Sequence, residues 1–132
     1  MDKLKFLIVE DEAIVARDIH MQLVELGYEP VGQASRGEEA VVLAGELRPD
    51  LVLMDIQLKG KMDGIAAAEA IRTQFSLPVV FLTASAEVDP KVAMMLTEPF
   101  SCIRKPFLEG DLRTAIEMAL SKHKAEATRR VK

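Results

Sequence analysis

At 132 residues and 14.6 kDa the chain has the length of one domain, enough to bury roughly two-thirds of the surface an unfolded chain exposes. Its 49% hydrophobic and 29% charged residues exclude a disordered or fibrous class, and a single cysteine, Cys102, excludes an internal disulfide and fits a reducing compartment. The net charge of −4 divides unevenly: the last twelve residues, "SKHKAEATRRVK", carry five Lys/Arg against one Glu, which leaves 12 basic and 20 acidic groups, a balance of −8, on residues 1–120.

In chain order, "FLIV" at 6–9 reads as a short strand, and Val15, Ile19, Leu23 and Leu26 line one helical face that Gly27 closes. "PVGQA" at 30–34 is a weaker strand, followed by Ala40, Leu43, Ala44 and Leu47 on a helix that Pro49 ends. "LVLM" at 51–54 is a third strand, and Ile65, Ala68, Ile71 and Phe75 give a third helical stripe. After Pro78, "VVFL" is the fourth strand, with Val88, Val92, Met95 and Leu96 as the fourth helical face. "SCIR" at 101–104 is the fifth strand, and Leu112, Ala115, Ile116, Ala119 and Leu120 make the last helix.

Strict alternation predicts a doubly wound parallel α/β sheet in three layers, joined by right-handed crossovers. Three of the strands are continuous apolar runs suited to the interior, while "PVGQA" and "SCIR" suit edges. The flavodoxin-like (βα)5 order 2-1-3-4-5 satisfies this and puts the ligand crevice at the carboxyl ends of strands 1 and 3.

That crevice collects charge. Glu10, Asp11 and Glu12 end strand 1, and Asp55 ends strand 3. Like charges a few ångströms apart repel unless a cation joins them, and a hard ion such as Mg²⁺ would do so. Thr83 at the end of strand 4 adds a hydroxyl donor, and Lys105 after strand 5 adds a compact positive charge. Carboxylates, a metal, a hydroxyl and a lysine make a phosphoryl-transfer site in which one carboxylate could be the nucleophile.

At these residues the sequence resembles the receiver domain of two-component response regulators. The resemblance rests on "LIVEDE", "PDLVLMDI", "MDGI", "PVVFLTA" and "KPF", which fall in that family's order and spacing over nearly the whole chain. Receivers are a standard instance of the 2-1-3-4-5 order, so the expected topology is not independent of the resemblance. It implies that Asp55 is the phosphoacceptor, charged from a phosphohistidine on a sensor histidine kinase or phosphotransfer protein. It implies that Asp11 ligates Mg²⁺ with Asp55 and the main-chain carbonyl of Gln57, with Glu10 acting through water. Thr83 and Lys105 would hold phosphoryl oxygens, Ala84 would leave room for them, and the bond from Lys105 to Pro106 would be cis. Phosphorylation would draw Thr83 inward and bias the face formed by the fourth helix, the fifth strand and the last helix, toward a downstream protein or a second copy of the chain.

Three departures stand out. Cys102 occupies the position three before the lysine where most receivers carry Tyr or Phe, with Phe100 out of register. "TEPF" replaces the usual Gly-Ala turn before strand 5, which resembles receivers attached to or working beside sensory kinases. In "LKGKMDGI" the loop after Asp55 carries an extra residue or two.

The bland readings are a helix cap for Asp11 or Glu12, a backbone-bonded hydroxyl for Thr83 and a solvated turn for Lys105, all of which would have to hold at once. Asp63 and Gly64 read as the cap and loop of the third helix, His20 and His123 as polar surface without a role, and Met94 as a candidate partner contact. A Mg²⁺-dependent phosphatase of the haloacid dehalogenase type would need an Asp two residues after Asp55, where Gln57 stands. A degenerate receiver that binds a partner without being phosphorylated is the runner-up.

The expected organisation is a receiver over 1–121 and a basic helix extension or linker over 122–132. No aromatic interleaves the basic tail and no apolar run approaches a membrane span, so neither nucleic acid nor membrane is an expected partner, and the expected location is the cytoplasm.

Overall fold

The computed structural model describes residues 3–58, 60–83, 101–104 and 109–131. Within them the elements run β1 (Lys5–Val9), α1 (Ala13–Glu25), β2 (Glu29–Ala34), α2 (Gly37–Leu47), β3 (Leu51–Asp55), α3 (Gly64–Phe75), β4 (Val79–Thr83), β5 (Ser101–Arg104) and α4 (Glu109–Val131). The fourth helix expected around Val88 to Leu96, together with Met94 and the "TEPF" segment, lies outside the described residues.

All four strand pairings are parallel, and the sheet order is β2-β1-β3-β4-β5, as the strand character predicts. β1, β3 and β4 are buried along nearly their whole length because both faces are covered. The edge strand β2 tolerates Pro30, whose missing N–H breaks no interior ladder, and its register with β1 slips between Phe6 and Leu7.

The period-two alternation of the strands divides the core. Leu7, Val9, Val52, Met54, Val79 and Phe81 face α2 and α3, where Ala40, Ala44, Ala67, Ala68 and Ile71 let the helices come close. Phe6, Ile8, Leu51, Leu53, Val80 and Leu82 face α1 and α4, meeting Ile19, Leu23, Leu112 and Ile116. Burying a side chain of that size stabilises the fold by about 1.5–3 kcal/mol. Tyr28 flanks the second core with its ring 4.8 Å from Phe6, and burial, then the Glu117 carboxylate, push its phenol above the usual 10.0.

Helix ends follow local chemistry. Gly27, at φ 91, follows α1 at the position where a left-handed residue ends a helix. α2 ends on left-handed Arg48, whose guanidinium lies 5.0 Å from the ring centroid of Phe75 and joins α2 to α3. α4 continues past the last core contact, unbroken through residues 122–131. No described helix is long and apolar enough to cross a membrane.

Candidate functional site

Three strand ends meet at one rim of the sheet. β1 leads into Glu10, whose N–H donates to the Ala34 carbonyl of β2 at 3.0 Å, so strand pairing fixes the start of the turn. Glu10 then folds back and its Oε2 accepts the Glu12 N–H at 3.2 Å. β3 ends on Asp55, which pairs with Leu82 of β4, and Thr83 follows one residue on, opposite Arg104 of β5.

Glu10, Asp55 and Thr83 are the buried polar side chains among the described residues, at 4%, 6% and 8% exposure. Asp11 is half-buried beside them. One carboxylate oxygen from each of Glu10, Asp11 and Asp55 lies within 4.8 Å of the others. Three negative charges this close, two of them withdrawn from water, repel by several kcal/mol at an effective dielectric near 20. An all-oxygen, acidic donor set of that reach fits a hard divalent cation that keeps part of its water.

The loop that follows Asp55 is built around its carboxylate. The Gln57 N–H donates to Asp55 Oδ1 at 3.1 Å, an Asx-type turn that orients the carboxylate. The Ile56 N–H reaches the Leu82 carbonyl, and the Gly64 N–H returns to the Ile56 carbonyl, both at 3.1 Å. Asp63 caps α3 by accepting the Ala66 N–H at 2.8 Å, as its position predicts.

Gly64 does more than the loop role its sequence context implies. A side-chain carbon there would overlap the Asp55 carbonyl oxygen and lie 2.9 Å from Ile56 Cα, so α3 can start here only because position 64 is bare. The signal in the sequence is the glycine of "MDGI".

Of the expected site residues, the structure brings together Glu10, Asp11, Asp55, Gln57 and Thr83 at one rim. Ala84, Lys105 and Pro106 lie outside the described residues. Cys102 is exposed on β5, paired with Phe81, and His20 and His123 are half-buried on helices away from this rim.

A doubly wound sheet in this order, with an acidic cluster at its switch point, is the architecture that the resemblance to receivers implied, and Gln57 stands where a dehalogenase-type phosphatase carries its second aspartate. The chain belongs to the response regulator receiver domain family, whose model matches residues 6–117. It is 42% identical over 118 residues to the transcriptional regulatory protein PdtaR of Mycobacterium tuberculosis, covering 89% of this chain and 57% of PdtaR. It is 36% identical over 121 residues to the phyllosphere-induced regulator PhyR of Methylorubrum extorquens, covering 88% of this chain and 43% of that one. The chain therefore spans about half the length of these curated relatives. Among solved structures, the signal receiver domain of a modulated diguanylate cyclase from Desulfovibrio desulfuricans G20 superposes with a TM-score of 0.85 at 38% identity, covering 95% of this chain and 99% of that one.

Proposed function

We propose that this chain is a phosphoacceptor receiver, in which Asp55 takes a phosphoryl group from a phosphohistidine on a sensor histidine kinase or phosphotransfer protein. The observation that carries the reading is the trio of Glu10, Asp11 and Asp55 oxygens within 4.8 Å, two of the three residues buried. Asp11, Asp55 and the Gln57 carbonyl would hold Mg²⁺, with Glu10 acting through water. When bound, the ion supplies charge neutralisation to the phosphoryl oxygens.

The remaining steps belong to the chain. The Gln57 N–H holds Asp55 Oδ1 and so orients the carboxylate, one oxygen of which attacks phosphorus in line while the nitrogen–phosphorus bond of a donor protonated on its other ring nitrogen breaks and neutral imidazole departs. The Thr83 hydroxyl donates to a phosphoryl oxygen from the adjacent strand end, and the family resemblance assigns another phosphoryl oxygen to the Lys105 ammonium, with a small residue at Ala84 leaving space. The domain is a switch that assists its own phosphorylation and dephosphorylation. Residues 1–121 form the receiver and 122–132 a basic helical extension. Output is a protein contact on the face that includes β5, where exposed Cys102 stands at the position that most receivers give to Tyr or Phe.

Intact mass after incubation with acetyl phosphate and Mg²⁺ tests the reading. One phosphoryl group is expected on the wild type and none on Asp55→Asn or in chelator. No adduct on a folded, Mg²⁺-binding protein would overturn it in favour of an unphosphorylated interaction module, which the loss of the aromatic at Cys102 favours.

A further inference from the structure

The loop after Asp55 is longer than the loops after β1 and β2 on the same rim, and its far end is anchored on a different helix. The Met62 N–H donates to Glu38 Oε1 of α2 at 3.1 Å, across 24 residues of sequence. Gly60 turns the chain at φ 107 with both Glu38 carboxylate oxygens 4.0 Å from where its side chain would begin. Beside it, Gly37 at the start of α2 meets Met62 so closely that a side-chain carbon would lie 2.7 Å from the Met62 carbonyl oxygen.

Packing holds this end of the loop on one side only, where half-buried Met62 lies against the core beneath α2 and α3. An open groove of about 570 Å³, lined by Ser35, Arg36, Glu38, Glu39, Gly60 and Lys61, runs along the junction. Gly60 and Lys61, between buried Leu58 and half-buried Met62, are exposed, so burial alone does not place them. The hydrogen bond from the Met62 N–H to Glu38 fixes the far end of the span.

We infer that Glu38 is a positioning residue for the acceptor site: by holding Met62 it sets the path of the 56–63 loop, and through it the placement of Gln57 and Asp55 around the cation. The inference rests on the phosphoacceptor reading only for the identity of that cation. Glu38 touches neither the cation nor the phosphoryl group. Its carboxylate is an anchor, so an amide oxygen at the same place serves nearly as well.

The experiment uses the full chain as wild type, Glu38→Ala, Glu38→Gln and Glu46→Ala, the last removing the same charge from the far end of α2. Three quantities are measured: hydrogen exchange of the Met62 amide without metal, the Mg²⁺ dissociation constant by calorimetry, and the thermal midpoint. For Glu38→Ala, faster Met62 exchange and a dissociation constant raised roughly three- to tenfold are expected, the range of one hydrogen bond, with the thermal midpoint near wild type. Glu38→Gln should restore both, and Glu46→Ala should stay within about twofold, because a distant exposed charge is screened. Equal dissociation constants for Glu38→Ala and Glu46→Ala would overturn the inference, as would Gln behaving like Ala. A wild type that binds no Mg²⁺ would instead strike the phosphoacceptor reading, and the Met62 exchange rates would still decide whether Glu38 holds the loop.

Discussion

The loops after β1 and after β3 deliver carboxylates to the same point, and they are held in opposite ways. Glu10 is tied by its own N–H to the neighbouring strand, Glu12 bonds back to Glu10, and α1 begins at Ala13 with no side-chain cap. These two bonds on Glu10 reach no further than two residues along the chain or one strand across the sheet. The loop after β3 covers residues 56–63 and depends on Leu82, Gly64, Asp63 and Glu38, drawn from β4, α3 and α2. The first loop inherits its order from the sheet, whereas the second borrows it from helices that never touch the chemistry. Variants in α2 and α3 should therefore reach Asp55 while leaving Asp11 where it is.

Gly64→Ala is the strongest way to break that asymmetry. The added methyl would overlap the Asp55 carbonyl oxygen, backbone that cannot swing aside, so either α3 retreats or β3 shifts. Overpacking of this kind costs about 3 kcal/mol, a fall of roughly 10 °C in the thermal midpoint of a domain this size. Amide exchange should rise at Ile56 and Gly64→Ala's own position while the Glu10 amide, bonded to Ala34, keeps its protection. A wild-type melting curve would show that the start of α3 does not press on β3.

Asp11→Asn acts on the other loop, and the sign depends on the metal. Without a cation, removing one of three charges within 4.8 Å relieves repulsion and should raise stability by about 1 kcal/mol. With Mg²⁺ at about a hundred times its dissociation constant, the wild type should gain about 2.7 kcal/mol by linkage and the variant much less. The two melting curves should therefore exchange order when Mg²⁺ is added. Parallel shifts in both proteins would mean that Asp11 is not among the ligands.

The fold was legible because its strongest signals are local. "FLIV", "LVLM" and "VVFL" are continuous apolar runs that only the middle of a sheet uses, and Gly27 and Pro49 mark helix ends through backbone geometry that a single residue controls. Glu10, Asp11, Asp55 and Thr83 could be gathered at one rim because each stands at the end of a strand or within two residues of it, and topology alone then brings strand ends together. The bond from Glu38 to Met62 could not be read, because nothing in "GEEA" states which backbone N–H a helix carboxylate will meet 24 residues later. The contact at Gly64 was half visible: a glycine after a capping Asp announces a tight start, but that the Asp55 carbonyl fills the space is a fact of packing. α4 outruns its apolar stripe for a related reason, since Lys122, His123 and Lys124 end the periodicity of burial without ending the helix.

Asp63 offers the finest division between the two loops. Its side chain accepts the Ala66 N–H at 2.8 Å, one of the donors at the start of α3 that no earlier turn can satisfy. Asp63→Ala should cost about 1 kcal/mol, and Asp63→Asn almost none, since an amide oxygen caps as well. If the loop after β3 behaves as one unit, the loss of the cap should loosen Gly64 and Ile56 together, because the Gly64 N–H closes on the Ile56 carbonyl. Ala16, bonded to Glu12 at the start of α1, should exchange as before in the same sample. Comparing those amides in Asp63→Ala and Asp63→Asn separates a local fray of α3 from a shift transmitted to the acceptor. Faster exchange confined to Ala66 would mean that Gly64 and Glu38 hold the loop without help from the cap.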